Sequence, residues 1–265
     1  MISFTLFKRE MKANYKLLLI FVWILTIYVM SIVSMFDPNK TNAFDEIAKS
    51  MPEIMKAFGM VTVGNTLIQF LSSYLYGFII LMFPMIFVII LANKLVAGYV
   101  DRGSMAYLLA TPNKRVKLVL TQALFLWVSV GILITYVTVL IIISCAIMHP
   151  GQLDIGKFIM MNAVIYTLHI AISGICFFAS CISNDTKLSF TLGAAIPIAF
   201  YLIQMLANMG GKMANLKYFT IFTLFNTNDI IAGESVVFPI LILISVAIVF
   251  YGIGIFIFSK RDLPV

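Results

Sequence analysis

Charge is what this sequence has least of: Asp, Glu, Lys and Arg make up 11% of its 265 residues, against about 25% in soluble domains. Where it is missing matters more. All 29 charged residues fall outside six long apolar stretches at about 17–36, 67–92, 118–148, 158–182, 188–207 and 236–258. Ionisable groups inside a membrane mark proton relays, ion paths and voltage sensors, so the sequence argues against an ion-coupled carrier and a charged-pore channel. Cysteine is equally sparse. Cys145, Cys176 and Cys181 form no CxxC pair and read as small buried hydrophobes. His149 and His169 stand far apart with no ligand cluster beside them, so no metal site is expected. HExxH and GxSxG do not occur, and no catalytic residue is assigned.

One motif is present only in part. Residues 151–158, GQLDIGKF, match GxxxxGK, but Phe158 stands where a phosphate loop needs Ser or Thr for Mg²⁺. The stretch joins two apolar runs instead of following a strand. No cofactor is expected on this chain.

What the sequence does have is hydrophobicity, 62% of all residues. About 20 apolar residues suffice to cross a bilayer as a helix, and all six stretches qualify. They leave no room for a sizeable soluble domain. The expectation is an all-α integral membrane protein, a single domain over 1–265 with six transmembrane helices. Lys8, Arg9, Lys12 and Lys16 precede the first run, which is longer than a signal-peptide core and reads as a retained anchor.

Lys and Arg set the orientation. With the N-terminus inside, the inner segments carry twelve and the outer segments six. Both termini are thereby expected to be cytoplasmic. The net charge of +7 is then a topology signal and no argument for nucleic acid.

The polar segments carry patterns of their own. Phe4, Phe7, Met11 and Tyr15 recur at helical spacing among basic residues, which predicts an interfacial helix over 1–16. In the outer segment 41–60, Ile47, Met51, Ile54, Met55 and Phe58 predict one or two short capping helices broken near Pro52. Residues 218–233, YFTIFTLFNTNDIIAG, are apolar enough to dip into the membrane edge. Ser189, Gly193, Ala195 and Ala199 form two small-xxx-small pairs, suited equally to a dimer seam and to packing within one subunit.

The most informative stretch is GYVDRGSMAYLLATPNKRVKL, 98–118. Met105, Leu108 and Leu109 predict a short helix with an exposed apolar face. Pro112 ends it, and Lys114, Arg115 and Lys117 lead back to the membrane. Such a turn suits docking in a groove of a soluble partner; a plain solvated loop is the alternative.

In Asp101, Gly103, Leu108, Leu109, Pro112, Lys114 and Arg115 the chain resembles the ABC-2 type permeases of ATP-binding-cassette exporters. So do FKREMKANY near the start, MPEIMKAFG, LFNTNDIIAG before the last span and the final FSKRDLPV. It departs from the family at Ser104-Met105-Ala106, where Thr-Leu-Glu is frequent. The resemblance implies a cytoplasmic coupling helix within 98–117 that sits in a cleft of a separate ABC ATPase. It also implies two ATPases and two permease chains, identical or homologous, in a bacterial plasma membrane, with ATP and Mg²⁺ on the ATPase. The implied function is export of a hydrophobic or amphipathic substrate such as a small peptide, toxin or antibiotic. A non-transporting immunity or assembly factor is the alternative.

Overall fold

The computed structural model describes residues 2–37, 50–60, 66–109 and 115–261, with Leu109 described by its backbone alone. Every regular element among them is helical. Six assemblies are long and apolar enough to cross a membrane. The first is α1 (Phe4–Met35). The second is built of α3 (Leu67–Tyr74), a π-helical turn (Leu75–Ile79), α4 (Ile80–Leu95) and α5 (Ala97–Asp101). The others are α7 (Arg115–Met148), α8 (Ile155–Ile182), α9 (Thr186–Asn208) and α11 (Val237–Lys260). Short elements join them: α2 (Pro52–Ala57), α6 (Ser104–Leu109), 3₁₀ turns at Gly211–Phe219 and Ile221–Leu224, and α10 (Thr227–Ala232).

The six spans thus lie where the apolar runs place them, with one correction at the start. Residues 1–16 do not form a separate interfacial helix, because α1 runs without a break from Phe4 to Met35. Neither Gly nor Pro interrupts it. At 1.5 Å per residue, its 32 residues span about 48 Å, against a hydrocarbon core of about 30 Å. Of the expected apolar stripe, Phe4, Met11 and Tyr15 are exposed and Phe7 is half-buried against Phe125, while Leu6 and Glu10 are buried. Of the outer segment, α2 begins with Pro52 in its first turn as expected, and residues 41–49 lie outside the described residues.

The helix α8 is the centre, packed by α4, α7, α9 and α11. Its most apolar window is 78% buried, against 22% for α9 and α11. Glycine lets α8 and α11 approach closely. A Cβ at Gly174 would stand 3.3 Å from the Cα and carbonyl oxygen of Ala247 in α11.

Two prolines shape the interior by the same device. Proline has no N–H, so the carbonyl four residues earlier loses its helical partner. Pro84 in α4 frees the Ile80 carbonyl, and His169 Nε2 of α8 lies 2.9 Å from that oxygen. A carbonyl only accepts, so Nε2 carries the proton and the ring is fixed in one tautomer. Pro197 in α9 frees the Gly193 carbonyl, which accepts from Cys176 Sγ of α8 at 3.2 Å. Both residues answer backbone groups that would otherwise be buried without a partner.

Other polar side chains of the interior pair across helices. Tyr76 donates to Asn162 at 2.8 Å, Ser173 and Tyr251 share a hydrogen bond of 2.7 Å, and Thr26 and Tyr136 one of 2.8 Å.

Candidate functional site

The end of the second span is short-jointed and firmly held. The helix α4 stops at Leu95 because Val96 leaves helical geometry (φ −124°), and α5 is little more than one turn. Gly103 follows with φ +65°, a left-handed conformation that favours glycine, and the chain reverses into α6.

Three hydrogen bonds fasten α5 to three different spans. The Ala97 N–H donates to Ser180 Oγ of α8 at 2.9 Å. Thr186, at the start of α9, donates to Asp101 Oδ2 at 2.7 Å. Tyr99 donates its hydroxyl to Glu10 Oε1 of α1 at 2.6 Å.

Glu10 is the residue that reading the sequence missed. It is only 1% exposed, and a buried carboxylate requires partners. Gln122 Nε2 of α7 donates to Oε1 at 3.0 Å, and Asn14 Nδ2 to Oε2 at 3.1 Å. The signal was its register: Leu6, Glu10, Phe21, Leu25, Val29 and Ile32 share the inward stripe of α1. Among four neighbouring bases it passed for ordinary flanking charge.

A second knot closes the same end of the bundle. Arg261, just past α11, donates to the carbonyls of Cys181 (2.8 Å) and Ser183 (2.9 Å) at the end of α8, and to the Asn184 side chain. Arg115 at the start of α7 donates in turn to the Arg261 carbonyl at 2.8 Å. These carbonyls are the acceptors that a helix C-terminus leaves without intrahelical donors.

The exposed face of α6 differs from expectation. Met105 is 5% exposed and joins the core, and Leu108 is half-buried against it. The apolar side of this short helix is used internally, holding it to the bundle. Its neighbour Tyr107 projects instead, 81% exposed. Pro112, Lys114 and the Leu109 side chain lie outside the described residues.

The four small residues of α9 divide. Ser189 and Gly193 are buried, and a Cβ at Gly193 would meet Cys176 Cα and Ala179 Cβ of α8 at 3.7 Å. That pair is packing within the subunit. Ala195 and Ala199 are exposed on the other side.

At the opposite end of the bundle, Lys157 Nζ donates to the Ile231 carbonyl at 2.7 Å, and Asp154 accepts from the Lys157 N–H at 3.1 Å. The GxxxxGK stretch is thereby a turn that starts α8 and receives α10. Asn208 of α9 reaches the Ala57 carbonyl at 3.2 Å. A Cβ at Gly77 would stand 2.7 Å from the Phe58 carbonyl, so this glycine lets the end of α2 rest on the π-helical turn.

Six apolar spans, one of them a central helix, with a short stapled turn between the second and third, define a polytopic helical membrane subunit. The profile of the ABC-2 family transporter proteins matches residues 6–263, and the chain belongs to that family. It is a transmembrane permease subunit, and ATP is hydrolysed by a separate ATPase subunit. Comparison with curated proteins and with solved structures gave no match.

Proposed function

We propose that this permease is one half of a dimeric exporter. It moves a hydrophobic or amphipathic cargo, a small peptide, toxin or peptide antibiotic, across a bacterial cytoplasmic membrane. Both termini face the cytoplasm, and two ATPases engage the turn Ser104–Leu109 of the two permease chains.

The observation that carries this reading is the fastening of α5. The segment is hydrogen-bonded to α1, α8 and α9 at once through Tyr99, Ala97 and Asp101, while Tyr107 projects beside it. A partner gripping Tyr107 moves the ends of three spans without any charge entering the membrane. The neutral spans favour a cargo without fixed charge at its centre.

The test is co-purification with the ATPase, followed by its stimulation with candidate peptides. Tyr107→Asp should abolish ATPase association while membrane insertion stays intact. Normal co-purification of that variant overturns the coupling role. An assembled complex whose ATPase responds to no amphipathic peptide overturns the cargo assignment alone.

A further inference from the structure

We propose that the basic end of the bundle holds a site for one anionic phospholipid, with its phosphate between α1, α4 and α5. A cavity of about 420 Å³ opens there, lined by Arg9 of α1, Lys94 of α4 and Arg102 just past α5. Its volume falls within the ordinary range for small-molecule sites.

The three cations are exposed, and among the described residues no carboxylate forms an ion pair with any of them. Arg9 is held in place over the Tyr99 ring, 5.7 Å from its centroid. Glu10 also borders the cavity, but it does not offset them at the mouth. It is 1% exposed, and Tyr99, Gln122 and Asn14 already donate to its carboxylate. The net field at the opening is positive, and guanidinium groups suit phosphate oxygens through paired N–H donors.

A soluble phosphate ester shares that chemistry. The adjoining surface favours a lipid. Asn14 lines both this cavity and a narrow apolar crevice bordered by Met11, Tyr15, Leu18, Leu91 and Phe125. Head and tail of one amphiphile therefore find opposite chemistries on either side of Asn14. The outer side of α1 here carries exposed Phe4, Met11 and Tyr15 beside Lys8 and Lys12, the pattern of a helix surface at headgroup depth. Basic pockets between spans are known headgroup sites. A bound lipid would tie the first span to the segment after the second.

Titration of the full-length chain in detergent, followed by native mass spectrometry, tests this without any ATPase, so its failure is separate from failure of the coupling role. The probes are phosphatidylglycerol, phosphatidylcholine and sn-glycerol 3-phosphate. Phosphatidylglycerol should bind at least about tenfold tighter than phosphatidylcholine. At roughly tenfold per 1.4 kcal/mol and about 1 kcal/mol per cation, Arg9→Gln/Lys94→Gln/Arg102→Gln should weaken it about a hundredfold. The charge-keeping Lys94→Arg/Arg102→Lys should retain most of the binding, which guards against a folding defect. Removing three cations elsewhere, Lys212→Gln/Lys217→Gln/Lys260→Gln, should change it little. Equal loss in the two glutamine triples, no preference for phosphatidylglycerol, or complete loss in the charge-keeping variant overturns the site. Glycerol phosphate binding as tightly as the lipid overturns the lipid assignment.

Discussion

The Tyr99 hydroxyl and the Glu10 carboxylate meet at 2.6 Å, joining the end of the second span to the first. The two residues lie 89 positions apart, and the bond sits where Glu10 is almost fully buried. A hydrogen bond to a charged acceptor contributes about 1.5–3 kcal/mol.

Tyr99→Phe should therefore lower thermal stability by roughly that amount while the chain still inserts. Glu10→Ala should cost more, because it strands the donors of Tyr99, Gln122 and Asn14 together. Thermal unfolding followed with a thiol-reactive dye reads both, since Cys145, Cys176 and Cys181 are free and buried. Equal stability of Glu10→Ala and wild type would contradict the clamp.

His169 answers the carbonyl that Pro84 leaves open. His169→Leu should destabilise by about 1–3 kcal/mol, the cost of an unsatisfied buried acceptor. Adding Pro84→Ala restores an N–H to Ile80 and should recover much of the loss. The same unfolding assay measures this double-mutant cycle, and additive losses would refute the pairing.

Gly193 faces Cys176 and Ala179 of its own chain. Gly193→Leu should reduce stability and expression, leaving crosslinking between permease chains proportionate to the protein present. Gly193→Ala should be mild, since its Cβ meets neighbours at an ordinary 3.7 Å. Cysteine pairs at Ala199, on the exposed side of α9, and at Trp23, on the exposed side of α1, compare the two faces left open for a partner chain.

Orientation has a direct readout. Met51 and Tyr107 are both exposed, at opposite ends of the bundle. In a background without native cysteines, Met51→Cys should react with an impermeant maleimide in intact cells and Tyr107→Cys only after permeabilisation. The reverse pattern would turn the bundle over.

Much of the architecture was readable from apolar run length, because a span must satisfy its own backbone and so is marked by an unbroken stretch of about 20 residues. The break at Pro52 was legible for a local reason of the same kind. The faces were not. Phe4, Met11 and Tyr15 lie on the outward side of α1, where a lipid-facing stripe belongs, yet nothing local marks the polar Glu10 as the residue that lies inside. Met105 and Leu108 failed similarly, since an apolar residue on a surface turn serves the chain's own core as readily as a partner's groove. His169 and Cys176 read as bland because their partners are carbonyls freed by prolines on other helices, a relation visible only after packing.

The two knots at the basic end share one helix. Gln122 of α7 belongs to the Glu10 cluster and Arg115 of the same helix to the Arg261 cluster, about 10 Å apart along the axis at 1.5 Å per residue. Through α7 the pair acts as a truss: α1, α5, α8 and α11 are all braced to it, directly or at one remove. A push at Tyr107 then meets a stiff frame. At the far end the contact is of another kind, with α2 resting on Gly77 through close backbone approach.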